Sequence, residues 1–141
     1  LRFIIAEPAK YLRMPLWRSV LLVLAALLFV AAGVNHFLNP TFYLQIIPPI
    51  FPAPAALMII SGACEIAGGV GLLIRRLRRA AGWGLIALLI AVFPANIYMV
   101  FMPHLPAGMD VPVWALWLRL PLQAVFIGWV WLVAIRHRRV R

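Results

Sequence analysis

The sequence predicts an all-α integral membrane protein: four transmembrane helices in an up-and-down bundle, with both termini cytoplasmic and a short interfacial helix between helices 1 and 2. Three observations carry this. Apolar and aromatic residues make up 66% of the 141 positions and charged residues only 11%, well outside the range of water-soluble domains. The apolar residues fall into four runs, each long enough to cross the hydrocarbon of a bilayer. The basic residues behind the net charge of +10 gather almost entirely at the ends of those runs. The length leaves room for a single domain, 1–141.

The first helix is predicted over about Trp17–Phe37 and is ended by Asn39-Pro40. The second is expected over 54–74, the third over 80–102, and the fourth over 112–135 with Pro112 near its first turn. Each spans roughly 31–36 Å, enough to cross with some tilt. The stretch after Arg18 is too long for a signal-peptide core and three more follow it, so no cleaved leader is expected. The chain begins with Leu1, not Met, and a few residues are expected before it.

Orientation follows from the arginines and the lysine. Arg2, Lys10, Arg13 and Arg18 precede the first run; Arg75, Arg76, Arg78 and Arg79 separate the second and third; Arg136, Arg138, Arg139 and Arg141 close the chain. The segments 40–53 and 103–111 hold no Lys or Arg and one acid, Asp110. The positive-inside bias puts all three clusters on the cytoplasmic face, facing anionic lipid headgroups. Trp17, Trp83, Trp129 and Trp131 then lie toward the inner face, Trp114 and Trp117 toward the outer. Clusters confined to helix ends do not describe a nucleic-acid surface. Cys64 is the one cysteine, so neither a disulfide nor a CxxC pair can form within the chain.

The outer segment from Asn39 to Pro54 carries a turn of helix, with Asn39 as cap, Pro40 in first position and Pro48 as stop. Phe42, Tyr43, Leu44, Ile46 and Ile47 make it too apolar to float in water. It is expected in the outer interface, either as a lid over the bundle with Phe42 and Tyr43 facing the interior, or as a plain anchor. Residues 1–16 are expected to form a similar segment on the inner face. No internal repeat is present.

Polar side chains inside apolar helices are the informative positions, because an ionised one costs about 2.5–3.5 kcal/mol at the bilayer centre even on the milder scales. Glu65 lies about 16 Å into the second helix, on a face with Ser61, Gly62, Gly68 and Gly69 that admits a close neighbour. Arg119 and Gln123 share a face of the fourth helix, with Pro121 between them. Depth counted from the helix starts puts Arg119 within a turn of Glu65, and the two are expected to pair. Asn35, His36 and Asn96 join them in an outward-facing pocket, with Tyr98 and His104 at its rim. Two readings stand: a buried ion pair that fixes helix register, or a ligand, proton or redox site. One histidine without partners at ligand spacing gives no metal site. No nucleophile–base pair, phosphate loop or haem motif occurs, so the isolated chain does not read as an enzyme.

These residues resemble the DoxX-like family of small four-helix membrane proteins. The matching stretches are Gly33-Val-Asn-His36-Phe with Pro40 and Phe42-Tyr43, then Ser61-Gly62-Ala-Cys-Glu65-Ile-Ala-Gly68-Gly69 and Ala80-Ala-Gly-Trp83-Gly, with Phe93-Pro94-Ala-Asn96-Ile-Tyr98-Met and Leu118-Arg119-Leu-Pro121-Leu-Gln123 after them. The resemblance implies the four-helix bundle and a bacterial-type inner membrane. It also implies an accessory subunit of a membrane oxidoreductase or other membrane complex, partnered by another membrane protein or a second copy. The family is named for a subunit linked to a quinol oxidase or a thiosulfate:quinone oxidoreductase, so quinone is the cofactor to consider, though no motif here calls for one. The chain departs from cysteine-bearing relatives in lacking a cysteine pair. A quinone-linked redox component and a binder or carrier of a small amphipathic molecule remain as alternatives.

Overall fold

The computed structural model describes residues 14–102 and 112–136, and every element among them is helical. Helix α1 spans Leu16–Leu38, α2 Pro40–Ile46, α3 Pro54–Leu73, α4 Arg78–Phe101 and α5 Val113–Val130, the last running on through a π-helical turn at Trp131–Ile135. The four long helices end within one or two residues of the positions expected from hydropathy and proline placement. Most of the segment 1–16, together with His104, Asp110, Arg138, Arg139 and Arg141, lies outside the described residues.

Helix ends follow local chemistry. The Asn39 backbone N–H closes α1 on the Asn35 carbonyl at 2.9 Å, and Pro40 opens α2. The Asn39 side chain does not cap α2 as expected; its amide instead reaches back to Asn35 Oδ1 at 2.6 Å. Pro54 begins α3 after Ala53, whose φ of 53° is left-handed. Ile74 and Leu77 close the short turn between α3 and α4.

The four long helices run antiparallel to their neighbours in the chain. Along α1 and α3, Gly62 meets His36 and Gly33, while Gly69, two turns on, meets Ala26 and Val30. A methyl group built on Gly33 would stand 2.5 Å from the Gly62 carbonyl oxygen and 2.9 Å from the Ile66 nitrogen. Backbones this close exclude any larger residue. The next face of α3 puts Gly71 against Ala81 and Gly68 against Leu85 of α4. Asn96 and Met99 of α4 meet Gln123 and Arg119 of α5, and the Trp129 indole N–H donates to the Leu21 carbonyl at 3.1 Å, closing the ring from α5 back to α1.

One end of the bundle is rich in arginine. Arg78 Nε donates to the Leu72 carbonyl at 2.8 Å, and Arg18 donates to the carbonyls of Val133 and Arg136. Cations there complement the negative ends of α3 and α5. Beside it lies the main core, with Leu22, Ala25, Leu72, Leu85, Val130 and Val133 buried. The opposite end is crossed by α2, whose Ile46 is buried with Met99 and Leu116.

Outside, the bundle is apolar: Leu24, Leu27, Ile60, Ile90, Val125 and Trp131 are among many large hydrophobic side chains left exposed. Soluble monomers do not present such continuous apolar surface. Leu16–Leu38, Pro54–Leu73, Arg78–Phe101 and Val113–Ile135 are each long and apolar enough to cross a membrane.

A candidate ligand cavity between the helices

A cavity of about 330 Å³ opens between α1, α3, α4 and α5 in the half of the bundle nearer α2. Its walls are mainly apolar, with Phe29 and Ala32 from α1, Leu89 and Val92 from α4, and Leu122 and Phe126 from α5. The sequence-predicted residues His36, Tyr43, Glu65, Asn96, Arg119 and Gln123 all line it. Asn35 and Phe42 stand one layer back. Asn35 donates to the Tyr43 hydroxyl at 2.8 Å, and the Phe42 ring meets Tyr43 edge-on at 5.1 Å. Tyr98 is half-buried but is not part of the lining.

His36 holds one wall together. Its ring stacks on Tyr43 at 3.7 Å, tying α2 to α1. Nδ1 lies 3.2 Å from the Met58 carbonyl oxygen and 3.3 Å from Ser61 Oγ, whose own hydroxyl donates to that carbonyl at 3.0 Å. A carbonyl only accepts, so Nδ1 carries a hydrogen. Nε2 faces Glu65 Oε2 at 3.4 Å, and that oxygen has no aligned hydrogen-bond partner among the described residues. A bare Nε2 opposite a bare carboxylate would set two lone pairs against each other. That repulsion favours one added proton on either the imidazole or the carboxyl group, which leaves the pair without net charge. Burial raises the pKa of the Tyr43 hydroxyl, with the Asn35 hydrogen bond opposing, so the phenol stays neutral.

The expected Glu65–Arg119 pair is not formed: Glu65 has His36, and Arg119 Nη1 contacts Met99 Sδ at 3.3 Å. Counting depth from each helix start had assumed that the starts lie level. The Gly68–Leu85 contact instead brings Glu65 near Leu88 of α4, while Arg119 meets Met99, about 16 Å farther along that helix toward α2.

Asn96 and Gln123 satisfy each other. Asn96 Nδ2 donates to Gln123 Oε1 at 2.7 Å, and Gln123 Nε2 donates to the Leu89 carbonyl. Pro94 lies inside α4 and leaves the Ile90 carbonyl, one residue after Leu89, without its helical donor. Arg119 is different. A guanidinium has five N–H donors, and a thioether sulfur, a weak acceptor, is its one hydrogen-bond partner among the described residues. Ser61, four residues before Glu65, belongs to the lining and was not singled out from sequence as a site residue; its i−4 spacing was the available signal. Nothing in the sequence marked Met99.

Among the described residues no cluster of three or more metal-ligating side chains occurs. No curated protein and no solved structure matches the chain. A family profile described as a domain of unknown function, DUF8561, matches residues 24–134. With that match covering most of its length, the chain belongs to the DUF8561 family.

Proposed function

We propose that the chain is a multi-pass membrane protein that holds a small amphipathic molecule in its cavity. The carrying observation is Arg119: a permanently charged side chain lining a mainly apolar cavity of about 330 Å³, with a thioether as its hydrogen-bond partner. Such a volume falls at the lower end of small-molecule sites, and apolar walls with a few convergent polar groups are their usual make-up. In this reading both termini are cytoplasmic, as the arginine clusters favour. The α2 segment lies in the outer interface, and Tyr43, stacked on His36, covers the way in. The likeness to DoxX-like proteins supports a place beside a larger membrane complex, in which this chain would seat the molecule for a partner.

The test is gentle extraction from native membranes followed by native mass spectrometry. The expected result is a species heavier than the chain by one small molecule, lost when Ala32→Phe fills the cavity. A bare mass for the wild-type protein, or an adduct unaffected by Ala32→Phe, would reject the reading. The adduct's mass also separates a quinone from other ligands.

A further inference from the structure

We propose that the ligand is a free monoanion, a carboxylate on a short apolar body, with its head on Arg119. This rests on the cavity being a ligand site and goes on to name the ligand's chemistry.

The argument begins with charge. Four titratable side chains line the cavity: His36, Tyr43, Glu65 and Arg119. His36 and Glu65 share one proton and sum to zero, and Tyr43 is neutral. Arg119 keeps its charge under all ordinary conditions. Among the described residues the lining therefore carries one positive charge that nothing cancels. An unpaired charge in an apolar surround is costly, and a ligand with one negative charge removes that cost. A neutral ligand leaves it in place and a cation adds to it.

Geometry narrows the class. The planar guanidinium fork matches the two oxygens of a carboxylate. The neighbouring amides are already engaged with each other and with the Leu89 carbonyl, so the head has one strong docking point and not several. Below it the cavity continues to Phe126, seven residues deeper on α5 and about 10 Å along its axis. Leu89, Phe29 and Phe126 line that part and suit an apolar tail. A volume of about 330 Å³ lies at the lower end of small-molecule sites and suits a single short apolar tail.

Octanoate is the probe, with octanol and octylamine as matched neutral and cationic forms. The measurement is thermal unfolding of the purified protein in nonionic detergent. Octanoate is expected to raise the apparent Tm saturably, the other two to do so at least tenfold less effectively, and Arg119→Gln to remove the octanoate effect. Octanol acting as well as octanoate, with Arg119→Gln indifferent, would overturn the monoanion and leave the cavity reading standing. No shift with any probe would overturn the monoanion, and native mass spectrometry would then decide the cavity itself. If Arg119→Gln does not fold, the three probes on the wild-type protein decide alone. Anionic phospholipid shares the head charge, so the series is repeated in phosphatidylcholine nanodiscs with and without phosphatidylglycerol. Stabilisation by phosphatidylglycerol that leaves octanoate nothing to add would assign the head to lipid and overturn the free acid.

Discussion

His36 Nε2 stands 3.4 Å from Glu65 Oε2 while its other ring nitrogen faces the Met58 carbonyl oxygen at 3.2 Å. That arrangement favours one proton shared by the pair, an imidazole on α1 and a carboxyl group on α3. It joins the two helices at their closest approach without placing a net charge in the cavity.

Glu65→Gln keeps a donor opposite Nε2 and is expected to change stability by less than about 1 kcal/mol. Glu65→Leu or His36→Leu leaves the other partner buried and unpaired, at about 1–3 kcal/mol. The double replacement is expected to recover part of the loss, as coupled neighbours do. Thermal unfolding in detergent reads all four variants. Gln costing as much as Leu would contradict a shared proton.

The α1–α3 contact allows no methyl group at Gly33, where the obstacles are backbone atoms of α3. Gly33→Ala must push the helices apart, and a loss of about 1–3 kcal/mol is expected. Gly84 has nothing within 4 Å of an added methyl. Gly84→Ala is expected to be neutral or to stabilise by up to about 1 kcal/mol through helix propensity. Equal effects at the two positions, again by thermal unfolding, would refute the packing described.

Gln123 serves both Asn96 and the Leu89 carbonyl. Gln123→Leu is expected to cost about 1–3 kcal/mol by leaving those groups unpaired. Adding Asn96→Leu is expected to cost less than its own single change does. A strictly additive cycle would show that the amides do not act together.

Much of this was legible in the sequence because it depends on one-dimensional spacing. Run length and hydropathy fixed the four long helices, and Asn39-Pro40, Pro54 and Pro112 marked their ends. The cavity residues were legible because an ionisable or amide side chain in an apolar helix has few places to go. Which polar group meets which was not legible. Depth counted along each helix compares heights only if the helix starts lie level, and here they do not, so Glu65 reaches His36 and not Arg119. The stacking of Tyr43 on His36 depends on how α2 folds back, which no spacing encodes. The sequence called for Asn39 to cap α2, but Asn35, one turn earlier, offers its side chain a nearer partner.

Segregated basic residues give the expected sidedness. In a Cys64→Ser background, a cysteine at Gln45 is expected to react with an impermeant maleimide in intact cells. One at Leu77 is expected to react only after the membrane is opened. Labelling at Leu77 in intact cells would reverse or reject the orientation.

The central claim, that an amphipathic acid sits inside the bundle with its head on Arg119, is tested most directly by photolabelling. Octanoate carrying a terminal diazirine is irradiated with the purified protein, and the labelled residues are mapped by peptide mass spectrometry. The expected labels fall on the cavity wall at Phe29, Leu89 and Phe126 and are competed away by unmodified octanoate. Labels confined to the exposed faces of the same helices, at Leu27, Ile90 and Val125, and insensitive to competitor, would contradict it.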